Sequence, residues 1–134
     1  MNYVFDDVRA IYVQIVDIIT NEIITGQLKP GQKIPSVREY AVLMKANPNT
    51  ICKALVILED KKLIVTERTN GKFVTNDIDL IENYKQKHFS EKVNNFINEM
   101  EKMGFTKEDI ILKLRSNVNM NMKCNESLVI KEMK

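Results

Sequence analysis

Between residues 11 and 24 the apolar side chains fall at Ile11, Ile15, Ile18, Ile19 and Ile23. That i, i+4, i+7, i+8, i+12 spacing is one face of an α-helix. Gly26, just past the pattern, suits a left-handed C-terminal cap. Lys29-Pro30-Gly31 then forces a turn. Lys33-Ile34-Pro35 reads as short and extended, because a residue before proline avoids the helical region. Ser36-Val37-Arg38-Glu39 is a capping box, in which the serine hydroxyl and the glutamate carboxylate each take up a backbone N–H of the other. Val37, Tyr40, Ala41 and Met44 follow as the apolar face of a short helix ending near Lys45. Asn47-Pro48 starts the next helix: asparagine is a strong N-cap, and proline at the first helical position gives up an N–H that would be unpaired anyway. Ile51, Ala54, Leu55 and Leu58 form its buried stripe. Two or three residues around Lys45 and Ala46 link these helices. So short a link suits the steep crossing of a helix-turn-helix.

After Asp60-Lys61-Lys62 the period changes from 3.6 to 2. Leu63 to Arg68 predicts a strand, Asn70-Gly71 a two-residue hairpin turn with positive φ at both positions, and Lys72 to Thr75 the return strand. Three helices followed by a hairpin predict a winged helix-turn-helix over residues 1–76. From Asp77 the pattern is helical again. Phe89, Val93, Phe96, Met100 and Met103 are spaced 4, 3, 4, 3, a heptad seam. Gly104 breaks the seam, and Thr106 with Asp109 caps a further helix carrying Ile110, Ile111 and Leu114. Residues 117–134 are rich in Asn, Met and Lys without a period, and a frayed tail is expected, with Leu128 to Ile130 as a weak contact. The fold class is therefore α+β, mostly α: an N-terminal winged helix-turn-helix, then C-terminal dimerisation helices within residues 77–134.

The net charge of +2 gains meaning when it is divided along the chain. Residues 1–28 carry −3 and residues 73–134 are balanced, whereas residues 29–72 hold nine basic against four acidic side chains. The positive charge coincides with the helix-turn-helix and the hairpin, where it suits a nucleic-acid partner. No run of about 20 apolar residues predicts a membrane helix, and the acidic first residues argue against a secretory signal, so a cytoplasmic location is expected. Cys52 and Cys124 form no CxxC pair and are expected to be reduced thiols. His88, the lone histidine, has no partners at metal-ligand spacing. One histidine, no Cys/His cluster and no glycine-rich loop argue against catalysis; no enzyme activity, cofactor or metal is expected.

A recognition helix places its first turns in the major groove, where base edges are distinguishable. Those turns offer Asn47, Asn49, Thr50 and Lys53. Asparagine can pair with adenine, threonine can use its hydroxyl or methyl, and lysine can reach guanine or phosphate. Asn47 is needed foremost as a cap. Arg38, near the start of the preceding helix, can fork onto phosphate or a base edge. Asn70, Gly71 and Lys72 at the hairpin are placed to touch the minor groove or the backbone. One such domain offers few basic contacts, and a dimer doubles them. The seam of Phe89, Val93, Phe96, Met100 and Met103 is where a second copy is expected. The expected partners are double-stranded DNA and a second copy of the chain, with a small-molecule effector left open and no membrane. The alternative is a winged helix that docks proteins without reading DNA.

The segments Ile11-Tyr12-Val13-Gln14-Ile15, Gly26 to Gly31, Ile34 to Arg38 and Asn47 to Ile51 resemble, in order and spacing, the GntR family of bacterial transcription regulators. The resemblance runs from about Val8 to Val74. The Asn47-Pro48-Asn49-Thr50 segment and the short C-terminal part look like the YtrA-like subfamily. The resemblance implies a winged helix-turn-helix, a homodimer held by C-terminal helices, and a repressor acting on a palindromic operator. It also implies that Arg38, the Asn47 to Lys53 segment and Gly71 fall where the family contacts DNA. The sequence departs from the family pattern at four positions. Cys52 stands where some relatives place arginine, Lys45 and Lys62 stand where glycine is usual, and Tyr40 replaces a leucine.

Overall fold

The computed structural model describes residues 3–124, with side chains as far as Asn119. Seven elements follow one another: α1 (Ile11–Ile24), α2 (Val37–Met44), α3 (Pro48–Asp60), β1 (Ile64–Glu67), β2 (Gly71–Val74), α4 (Ile78–Lys102) and α5 (Lys107–Cys124). Two compact units divide the chain between Lys87 and His88. The first contains the winged helix-turn-helix together with the first turns of α4, and so extends past the expected boundary at residue 76.

Its core is built by the stripes of the three short helices. Ile15, Ile19 and Ile23 of α1, Tyr40 and Met44 of α2, and Ile51, Ala54, Leu55 and Leu58 of α3 are buried together. Each fully buried Ile or Leu contributes about 1.5–3 kcal/mol of transfer free energy. Ile11 remains exposed, so the apolar face of α1 starts one turn later than its spacing suggests. Gln14, buried among these groups, ties the preceding segment to α1. Its Oε1 accepts from the Asp6 N–H at 2.8 Å, and its Nε2 donates to the carbonyls of Asp6 at 3.0 Å and Arg9 at 2.9 Å. Both amide protons and the carbonyl oxygen of this buried side chain thereby find partners, as such a position requires.

The capping box forms as expected. The Glu39 N–H donates to Ser36 Oγ at 3.2 Å and the Ser36 N–H donates to Glu39 Oε1 at 3.3 Å. Lys45 ends α2 in the left-handed conformation with φ 52°, and Lys62 takes φ 64° after α3. The αL region costs an L-residue about 1–2 kcal/mol relative to ordinary backbone.

The hairpin corrects the two-residue turn. Ile64 pairs with Val74 and Glu67 with Gly71, so the loop is Arg68-Thr69-Asn70. The Asn70 N–H closes it on the Glu67 carbonyl at 3.3 Å, and only Gly71 has positive φ there. Burial decides the register. Ile64 and Val74 are both inside the core, whereas a loop of Asn70-Gly71 alone would set Val74 opposite the charged Glu67. The other edge of β2 is covered by residues 31–34. The Gly31 and Ile34 N–H groups donate to the Val74 and Lys72 carbonyls at 3.0 and 2.9 Å, and the Val74 N–H donates to the Gln32 carbonyl at 2.9 Å. Gly31 has φ 77°, an angle glycine adopts without steric cost, and a Cβ there would push aside the Asn76 side chain, whose Oδ1 would lie 2.6 Å away.

Asp77 caps α4 through Leu80 N–H at 3.1 Å. Ile81 and Tyr84 in its first turns pack on the same core, and the Tyr84 hydroxyl donates to the Lys61 carbonyl at 3.4 Å.

The second unit holds the rest of α4 and α5. Gly104, with φ 95°, turns the chain, and Thr106 and Asp109 cap α5 reciprocally at 2.9 and 3.1 Å. The tail expected to fray from Asn117 is helical as far as Cys124. No Gly or Pro interrupts residues 105–124, so a helix once capped continues without an apolar period. The suggested contact of Leu128 to Ile130 lies outside the described residues.

Candidate nucleic-acid interface

The first turns of α3 start from Asn47, whose Oδ1 accepts from the Asn49 N–H at 2.8 Å. Asn47 is thus engaged as the cap. The buried stripe of α3 leaves Asn49, Cys52, Lys53 and Val56 exposed, with Thr50 half-buried beside them. No acidic residue occurs from Pro48 to Leu58. The outer face therefore presents amide, hydroxyl and ammonium groups with no carboxylate among them. Arg38, the second residue of α2, is exposed and makes no ion pair among the described residues.

The acids of α3 sit at its far end, and one of them is neutralised. Lys72 Nζ bonds to Glu59 Oε1, and Thr66 Oγ1 donates to the same oxygen at 2.7 Å. The Lys72 ammonium beside it, and then the Thr66 hydroxyl, hold the Glu59 carboxyl below its ordinary pKa. Lys72 also donates to Thr66 Oγ1 at 2.9 Å. Lys72, which the sequence places on the hairpin, turns its side chain back to Glu59 and Thr66 and so joins the wing to α3. Asn70 does lie at the tip, and its amide donates to Glu67 Oε2 at 3.2 Å.

A Cβ on Gly71 would lie 3.1 Å from Lys33 Cε, so the Lys33 side chain passes across the glycine. Its charge was visible in the basic middle segment, but its place beside the wing was not. That place follows from the antiparallel bridge of Lys33 with Phe73, which joins residues far apart in sequence. Lys53 is also partnered: its ammonium lies 3.9 Å from the centre of the Tyr12 ring.

In the second unit Phe89, Val93, Phe96 and Met103 are 61%, 39%, 41% and 66% exposed, while Met100 is half-buried. Opposite them Ile110 is buried, and Ile111 and Leu114 are about half exposed. Phe96, Ile110 and Leu114 line grooves between α4 and α5 within this unit. Among the described residues no three His, Cys, Asp or Glu side chains gather as a metal site. No described helix is long and apolar enough to cross a membrane.

Comparison with known proteins agrees with this architecture. Residues 11–74 match the bacterial regulatory proteins of the gntR family. The chain is 34% identical over 111 residues to the HTH-type transcriptional regulator YhcF of Bacillus subtilis, covering 83% of this chain and 92% of that protein. It is 43% identical over 65 residues to the HTH-type transcriptional repressor YtrA of Bacillus subtilis, covering 48% of this chain and 50% of that one. A GntR family transcriptional regulator from Listeria monocytogenes superposes with a TM-score of 0.77 at 42% identity, over 84% of this chain and 98% of that one. A transcriptional regulator from Oenococcus oeni does so with a TM-score of 0.73 at 34% identity, over 87% and 97%.

Proposed function

Because the chain belongs to the gntR family of bacterial regulatory proteins, we propose that it is a homodimeric repressor that reads a palindromic operator. The exposed, carboxylate-free first turns of α3 carry this reading. A duplex presents a dense array of phosphates, and acids on the inserted face would be repelled there. Asn49 and Thr50 read base edges, Arg38 forks onto phosphate or guanine, and Asn47 holds the first turn in shape. The wing approaches the adjacent backbone through Asn70, Gly71 and Lys33, while Lys72 holds the wing against α3. Loss of transcription follows from occupancy of the operator; the name of the relative YtrA, a transcriptional repressor, supports that sign of regulation.

The exposed seam of Phe89, Val93, Phe96 and Met103, with Met100, supports the dimer. A second copy covers these side chains and removes apolar surface from water at about 25 cal/mol per Å². Two copies related by a two-fold axis present two recognition helices, which calls for two inverted half-sites.

Selection of bound fragments from a random-sequence duplex pool tests the reading. It is expected to return an inverted repeat with fixed spacing. Arg38→Ala is expected to weaken binding to the selected duplex by about 1–3 kcal/mol with the dimer intact. A pool that yields no enriched sequence, or a gel-shift titration unmoved by Arg38→Ala, defeats the groove assignment.

A further inference from the structure

Lys53 is exposed on α3, yet its ammonium does not point away from the protein. It lies 3.9 Å from the centre of the Tyr12 ring on the neighbouring helix. A lysine ammonium within about 6 Å of an aromatic face is attracted by the ring's quadrupole. Tyr12 belongs to the first turn of α1 and is half-buried. The lysine stem is long and rotamer-rich, and nothing in its own backbone fixes the charge. Among the described residues no carboxylate pairs with it. The ring is therefore the group that decides where this charge sits.

We propose that Tyr12 is a positioning residue for DNA binding: its ring holds the Lys53 ammonium on the α1 side of α3, where it meets a backbone phosphate and not a base edge. The inference rests on the reading of α3 as the recognition helix. A lysine that reads guanine must extend outward into the groove, whereas one folded onto the adjoining helix is a point charge at the flank. Such a charge positions the protein and carries no sequence information. Held in place before binding, it loses less conformational freedom when the complex forms.

Affinities are measured against salt for an enriched duplex and a scrambled one, with wild type, Lys53→Ala, Tyr12→Leu, Tyr12→Phe and the double variant Tyr12→Leu/Lys53→Ala. Lys53→Ala is expected to weaken both duplexes by the same factor and to lower the log–log salt slope by about 0.9 per contact removed. Tyr12→Leu is expected to weaken both by about two- to five-fold, the equivalent of an exposed cation–π pair. Tyr12→Phe, which keeps the ring, restores binding, and Tyr12→Leu adds nothing once Lys53 is alanine. A Lys53→Ala loss confined to the enriched duplex overturns the proposal, since the lysine then reads a base. So does a Tyr12→Leu loss that persists without Lys53, since the tyrosine then acts on its own. Proton NMR of the free protein separates the pair from the DNA reading. The Lys53 ε-methylene protons are expected to be shifted upfield by the ring in wild type and Tyr12→Phe, but not in Tyr12→Leu. No such shift in wild type defeats the proposal however well DNA binds. A shift accompanied by unchanged affinities in Lys53→Ala overturns it through the DNA assignment of Lys53 instead.

Discussion

Lys45 and Lys62 bracket α3, and both hold left-handed backbone with φ of 52° and 64°. Glycine would adopt these angles without steric cost. Lys45→Gly and Lys62→Gly are each expected to raise the unfolding free energy by about 0.5–1 kcal/mol, the strain relieved less the added freedom of the unfolded chain. Urea denaturation measures this, and a fall in both would show that the lysine stems gain more by packing than the backbone loses. Tyr40 is a second local departure. It is 1% exposed, and its hydroxyl finds no hydrogen-bond partner among the described residues. Burial pushes its pKa up, and nearby Glu22 and Tyr3 add to the effect. Tyr40→Phe is expected to leave stability unchanged or to raise it by up to about 1 kcal/mol; a clear loss in the same denaturation would reveal an engaged hydroxyl. These positions were legible because the residues disagree with a known pattern. The partners of Lys53, Lys72 and Lys33 were not, since each meets a side chain or glycine on another element, and periodicity specifies only which face of its own element a residue occupies.

The three short helices were legible almost to the residue, because caps and stripes are local signals. Ser36, Asn47 and the buried quartet of α3 are examples. The hairpin was legible as a hairpin, but its register was not. Asn-Gly is a strong turn signal, yet the burial of Ile64 and Val74 outweighs it. The same hairpin is clasped to α3 through Glu59, and this makes it sensitive to acid. Glu59 has a folded pKa below its ordinary 4.5. Its contribution to stability is therefore complete above that value and is lost as the pH falls through the depressed folded value. The amide signals of Thr66 and Lys72 are expected to titrate with a midpoint below 4.5, and Glu59→Gln to abolish that transition. A midpoint at or above the ordinary value would mean that the clasp does not form in solution.

At the scale of the molecule, the heptad spacing picks out Phe89, Val93, Phe96 and Met100 on α4 and Met103 just after it, and the single chain leaves all but Met100 exposed. Phe96→Glu is expected to yield a monomer in sedimentation, since a second copy would otherwise bury an unpaired carboxylate. A dimer that survives this change would move the interface elsewhere. Affinity for a two-half-site duplex is expected to fall with the dimer, while the helix-turn-helix keeps its fold because its core lies in the first unit. One further feature of α3 has a practical consequence: Cys52 is an exposed free thiol one residue before Lys53. With Cys124 changed to serine, it becomes a unique anchor for a tethered strand-cutting reagent. Scission in a bound fragment would then map where each copy lies, and two clusters of cuts about one helical turn apart, or a multiple of it, would read the symmetry of the assembly directly from a sequencing gel.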